Sequence, residues 1–180
     1  MIKGDLISLY AVEKEDLVQL RDWRNNSEFR KHFREYREIN MQQQQDWFEN
    51  KVVKDNTTLM FSIKRNKDNK LLGCCGFVYI NWVHKHADLS LYIGWKEAYI
   101  DREGYAKESC NLLLDYGFNE LSLNKVWTEI YEFDKKKKEL YDAIGFHQDG
   151  LLRQNYFNDG RWWDSRILSI LKDEFKSVEK

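Results

Sequence analysis

The chain has 180 residues, a third of them charged, and its acids and bases cancel to a net charge of −1 at pH 7. That length supports a buried core without disulfides or metals, and the balanced charge argues against a general nucleic-acid binder, which carries a clear basic excess. No apolar segment follows Met1 and no 18-residue apolar run occurs, so the sequence reads as a soluble cytoplasmic protein with no membrane partner.

In chain order, LISLYAV (6–12) alternates as a strand, and a helix follows with Leu17, Leu20 and Trp23 at helical spacing. Residues 40–53 predict a second helix with Asn40 in the cap position. Two strand-like runs, 57–65 and 70–83, flank a polar NKDN turn and predict a hairpin. Residues 87–94 alternate Ala87, Leu89, Leu91 and Ile93 against Asp88, Ser90 and Tyr92, a strand with one dry face. The next helix carries Ala106, Cys110, Leu113, Leu114, Gly117 and Leu121 on one stripe. Residues 125–133 predict a strand, and a short helix follows, with Asp134 as its cap and Gly145 as its left-handed stop. A hairpin about Asn158-Asp159-Gly160 ends the chain. The order βααβββαβαββ predicts one α/β domain over 1–180 with a mixed sheet.

Three cysteines cannot all pair, and adjacent Cys74 and Cys75 are poorly placed to bridge each other. CxxC and HxxxH spacings do not occur, and His84 and His86 read as a solvent-facing strand end, so no metal is expected.

LYIG (91–94) at a strand end, GYAKES (104–109) opening a helix and LYDAIGF (140–146) closing the next one occur in that order. Together they resemble the GNAT superfamily of acetyl-CoA-dependent N-acetyltransferases. The nearest resemblance is to its branch of ribosomal-protein, spermidine and amino-sugar N-acetyltransferases, where DWRNNSEFR (22–30) is similar to a WRN-type segment. The resemblance implies a GNAT-like, centrally splayed sheet flanked by helices.

It also implies where a coenzyme would lie. The family's helix start Q/R-x-x-G-x-G/A binds the pyrophosphate of acetyl-CoA through backbone amides. Gly104 and Ala106 match it, Asp101 replaces Gln or Arg, Arg102 stands where glycine is frequent, and the segment from Gly94 to Gly104 is a few residues longer than is common. Unpaired amides and the positive dipole end make a helix start an anion site whatever its side chains are. The expectation is that the backbone at Gly104, Tyr105 and Ala106 binds and Arg102 adds charge. Asp101 and Glu103 would face away, with Asp101 able to serve as the cap. A merely capped helix start is the competing reading. Lys135 to Lys138 crowd the unfavourable end of the next helix dipole, which a nearby anion would offset, so Lys137 is placed with the coenzyme. Asp134 stands where the family usually has an asparagine that contacts the coenzyme.

Acetyl transfer from a thioester to an amine needs a neutral amine, a polarised carbonyl and a stabilised leaving thiolate. By resemblance, the backbone of Leu91, Tyr92, Ile93 and Gly94 orients the acetyl group, and Tyr141, in the LYxxxGF position, protonates the departing sulfur. Glu129 is taken as the catalytic base, with Tyr131 and Asp88 as alternatives. The acceptor wall would come from the first two helices and the last hairpin, which hold Trp23, Arg24, Asn25, Phe33, Tyr36, Trp162, Trp163 and Asp164. Aromatic, amide and arginine groups suit a sugar nucleotide, while Glu28, Glu35 and Glu38 suit a polyamine or cationic peptide. The expected function is N-acetylation of a small amine (amino sugar or polyamine) or a protein N-terminus, with a homodimer as one expected assembly. The alternative is a catalytically inactive acyl-CoA-binding or interaction module of the same fold.

Overall fold

Eight strands form one sheet in the computed structural model, which describes residues 1–176. They are β1 (Ile2–Lys3), β2 (Ile7–Ala11), β3 (Leu59–Arg65), β4 (Leu71–Asn81), β5 (His86–Ile93), β6 (Lys125–Tyr131), β7 (His147–Asn158) and β8 (Arg161–Leu171). The spatial order is β1-β2-β3-β4-β5-β6-β8-β7. The helices are α1 (Leu17–Asn25), α2 (Ser27–Arg30), α3 (Met41–Trp47), α4 (Tyr105–Asp115) and α5 (Lys135–Ile144). The predicted order is present with two additions, the short edge strand β1 and the one-turn α2, which is started by the Asn26 side chain accepting from the Glu28 amide. Among the described residues no helix is long and apolar enough to cross a membrane.

Local chemistry sets these boundaries. Asn40 and Gln43 exchange side chain-to-backbone hydrogen bonds at the start of α3. The Asp134 side chain accepts from the Lys137 amide to start α5, and Gly145, at φ 105°, ends it in the left-handed conformation. In the last hairpin Asn158 already pairs with Arg161. The turn is therefore the two-residue Asp159-Gly160, both with positive φ as a type I′ turn requires. Gly117, on the predicted stripe, lies where a Cβ would stand 2.8 Å from the Phe77 ring, so the glycine lets the helical segment after α4 close on the sheet.

One strand pair is unlike the rest. β5 and β6 run parallel, joined by the α4 crossover, while every other pair is antiparallel. Their pairing covers only His86–Lys125, Ala87–Val126 and Asp88–Trp127, although β5 continues to Ile93 and β6 to Tyr131. The sheet is thus splayed after Asp88. Since strand residues alternate in direction, this opening exposes backbone groups of β5 that would otherwise be paired.

Candidate active site

A cavity of about 490 Å³ opens at this divergence, lined by β5 and β6, by α1 and α3, and by the loop after α2. Arg24, Phe33, Asp88, Tyr92, Glu129 and Lys137 line it, so residues from all three predicted groups meet there. Asp88 is buried, and that burial pushes its carboxyl up to about 6 against the pull of Arg34. Arg34 Nη1 donates to Asp88 Oδ2 at 2.6 Å and its Nε to Glu129 Oε2 at 3.3 Å, bridging the two strands across the split. Burial opposes the charge on Arg34, but the two carboxylates outweigh it and raise the guanidinium pKa. Glu129 also accepts from Asn155 Nδ2 at 2.9 Å, so it is engaged on both oxygens. Asp88 is the more deeply buried of the two acids, its side chain 4% exposed against 14% for Glu129, although Glu129 was the first choice from sequence.

On the other side of the split, residues 95–101 fold back over the coenzyme positions implied by the resemblance. The Ile93 amide donates to the Tyr99 carbonyl at 2.8 Å, so this unpaired edge of β5 is capped by the chain itself. Leu91, two residues earlier, presents its amide toward the same edge. Gly94 is tightly packed; a Cβ there would fall 1.9 Å from the Trp23 indole. Lys96, Glu97 and Tyr99 all have φ between 53° and 61°, the left-handed region that non-glycine residues seldom adopt.

The start of α4 follows the cap reading of Asp101 and not the outward one. Asp101 does not face away: its carboxylate accepts from the Tyr105 amide at 2.9 Å and the Ala106 amide at 2.7 Å. A carboxylate two bonds from its own backbone reaches these donors more readily than solvent does, and the helix dipole favours it there. Arg102 and Glu103 are exposed, and Glu103 pairs with Lys96 at 3.6 Å. Gly104 sits at φ 97°, and a Cβ would meet nothing closer than Leu6 Cδ1 at 3.5 Å. The left-handed φ accounts for the glycine, and the space beside it leaves the backbone accessible.

Asp134 is also turned inward. It accepts from the Tyr99 hydroxyl at 2.6 Å, caps Lys137, and has His32 Nδ1 3.2 Å away. Burial would raise its carboxyl, but His32, Lys137 and the Tyr99 hydroxyl hold it below the usual value. Tyr141 is fully buried and its hydroxyl has no hydrogen-bond partner among the described residues. Burial raises its pKa well above 10, so the phenol keeps its proton. The orphaned hydroxyl is a donor without an acceptor, although Tyr141 lines neither of the two cavities. The α4 amides and the Ile93 amide fit an acyl-CoA only once Asp101 and Tyr99 have moved off them.

The remaining sequence candidates divide. Trp23 packs on Gly94, and the Asn25 side chain bonds both backbone groups of Ile39, pinning the 31–39 loop to α1. Tyr36 is 75% exposed and stands away from the cavity. Trp163 lines a second depression, with Lys31, Asp134 and Lys135, and stacks under Arg161 at 3.4 Å. Asp164 accepts from the Gln154 amide within the last hairpin, and Trp162 is exposed. Sequence reasoning did not single out Arg34, His32 or Tyr99. Nothing local distinguishes Arg34 from Arg30 or Arg37 in the same basic stretch.

A model of the family described as an acetyltransferase (GNAT) domain matches residues 7–147. Spermidine N(1)-acetyltransferase of Vibrio cholerae serotype O1 is 26% identical over 169 residues, covering 94% of this chain and 95% of that protein. Spermidine N(1)-acetyltransferase of Escherichia coli K12 is 24% identical over 174 residues, covering 97% and 90%. The fold superposes on the V. cholerae spermidine N-acetyltransferase in complex with CoA and spermine with a TM-score of 0.86, at 24% identity and covering 95% and 98% of the two chains.

Proposed function

The chain belongs to the GNAT family of N-acetyltransferases, and from that premise we propose that it transfers the acetyl group of acetyl-CoA to the primary amine of a small molecule. The observation that carries this reading is Asp88. It is a buried carboxylate with a pKa near 6, placed in the cavity wall where the sheet divides. A base that works near neutral pH must be ionised there and still basic enough to accept a proton, and a value near 6 meets both conditions. Acetyl-CoA, when bound, supplies an activated acyl thioester. Asp88 takes the proton of the acceptor amine, directly or through a water. Tyr141 holds a proton that it can give to a leaving sulfur. The Leu91 amide, on the open edge of β5, donates to a developing oxyanion. Glu129 acts through Arg34, which it helps to hold against Asp88.

For the coenzyme, the start of α4 with Gly104, Tyr105 and Ala106 is the anion site, and its amides become available when Asp101 swings out. The two relatives named for spermidine put polyamines in the first panel of acceptors. The dodecameric structure of the V. cholerae enzyme supports a homo-oligomer here as well. The test is release of free thiol from acetyl-CoA with an amine panel, by wild type and by Asp88→Asn. Thiol release that depends on amine and falls at least about a hundredfold in Asp88→Asn supports the reading. Amine-independent release, or full activity in the variant, overturns it.

A further inference from the structure

Among the described residues, every carboxylate lining the cavity already has a cation from this chain. Glu35 is gripped by Arg37 through Nε and Nη2, both at 2.8 Å. Asp55 accepts from Lys51 Nζ at 3.1 Å and from Thr57 and Thr58, while Asp88 and Glu129 share Arg34. A polycation entering this space would meet acids that are spoken for.

The cations are not all matched. Among the described residues, neither Arg24 nor Lys137 forms an ion pair, and both line the cavity. Arg24 lies over the Phe33 ring with Cζ 5.3 Å from its centroid, and Lys137 Nζ lies 5.3 Å from the Tyr99 centroid. Phe33 and Tyr99 are themselves edge to face at 6.4 Å, so the two cations stand over adjoining rings. Lys137 is only 8% exposed, an expensive place for an ammonium without a counterion. Burial pulls its pKa below the ordinary lysine value, and Asp134 and Asp88, which oppose this, act from beyond ion-pair distance and are engaged by Tyr99 and by Arg34. Gln44, buried in the same wall, has an Nε2 with no acceptor among the described residues. The unmet capacity of the cavity is therefore for hydrogen-bond acceptors and negative charge.

We propose that the acceptor is an amine that also carries an anionic group, a carboxylate or a phosphate, and that Arg24 and Lys137 hold that group while the amine faces Asp88. This rests on the acetyltransferase reading and names its substrate class. It accounts for both unpaired cations at once, moves Lys137 from the coenzyme, where the sequence placed it, to the acceptor in the cavity wall, and departs from a polyamine acceptor, which offers them no partner.

Matched acceptors test it on the full chain: butylamine against 4-aminobutyrate, and glucosamine against glucosamine 6-phosphate, with spermidine alongside. The expected result is a kcat/KM at least about tenfold higher for the anionic member of one pair, the change expected from one charge-assisted contact. The first pair reports a carboxylate and the second a phosphate. Arg24→Gln should raise KM and shrink that ratio, Arg24→Lys should restore part of it, and Lys137→Met should act in the same direction. Melting temperatures identify any variant that fails to fold, and Arg24, half-buried, is the safer site. Equal rates within both pairs, or spermidine as the best acceptor, overturn the anion assignment and leave the acetyltransferase reading intact. No turnover with any amine overturns that reading and the acceptor assignment with it.

Discussion

Replacing Asp101 with alanine separates the two roles of the α4 start. Its carboxylate accepts from two amides, Tyr105 and Ala106, at 2.9 and 2.7 Å. Losing such a cap costs about 1 kcal/mol of stability, and in a domain of this size each kcal/mol lowers Tm by about 2–4 °C. The effect on ligand binding has the opposite sign. An incoming pyrophosphate must take both amides from the carboxylate and then sit beside its charge. Two like charges about 4 Å apart repel by as much as ~4 kcal/mol in a partly screened site. Even a third of that is a tenfold gain in affinity once the charge is removed. Asp101→Asn, which keeps an acceptor without the charge, should fall between. The assay is calorimetric titration of coenzyme A against wild type and both variants, with Tm measured on the same samples. A loss of affinity in Asp101→Ala with Tm within a few degrees of wild type would refute the reasoning, because the carboxylate would then belong to the binding site. Unchanged affinity would show that these amides do not hold the pyrophosphate.

Tyr141→Phe should lower kcat roughly 10²- to 10⁴-fold with little change in Tm, since the ring stays packed against Phe146; a wild-type kcat in stopped thiol-release assays would assign Tyr141 to packing alone. The pH profile of kcat/KM should show an acid limb near pH 6, because Asp88 must be ionised to act and burial raises its carboxyl to about 6. The same shift means that the ionised carboxylate opposes folding. Its stability contribution is fully present below about pH 4 and fades as pH rises through 6, so Tm measured across that window should fall in wild type more than in Asp88→Asn. Glu108→Ala should destabilise the fold by about 2 kcal/mol, since the Glu108 carboxylate accepts from the amides of Asp5, Leu6 and Ile7 and ties α4 to the start of β2; chemical denaturation reads this directly.

Much of the frame was legible because its signals are local. Asn40, Asp134 and Gly145 each act within one helical turn, and the Asp159-Gly160 turn needs only its own two residues in the left-handed region. The periodic stripe of α4 and the LYxxxGF string likewise mark their elements without knowledge of the rest. The site was less legible because its chemistry is long-range. Arg34 reaches Asp88 and Glu129 across 54 and 95 residues of chain, and no local pattern tells an arginine which strands it will bridge. Tyr99 looked like one more aromatic in a loop, yet its hydroxyl meets Asp134 and its carbonyl caps Ile93. At Asp101 the sequence allowed both an outward acid and a cap, and only the path of the preceding loop decides between them. Gly104 and Gly94 were placed with the coenzyme by resemblance. A left-handed φ requires the first, and the close approach of the Trp23 ring requires the second.

The central claim is that this chain moves an acetyl group from acetyl-CoA to an amine at the split between β5 and β6. Its most direct test is mass spectrometry of the reaction products, with the N-acetylated amine and free coenzyme A quantified together. Equimolar formation of the two by wild type, with both lost in Asp88→Asn at unchanged coenzyme affinity, is the predicted result. Coenzyme binding without N-acetyl product from any amine would contradict it, and would make the protein an acyl-CoA-binding module.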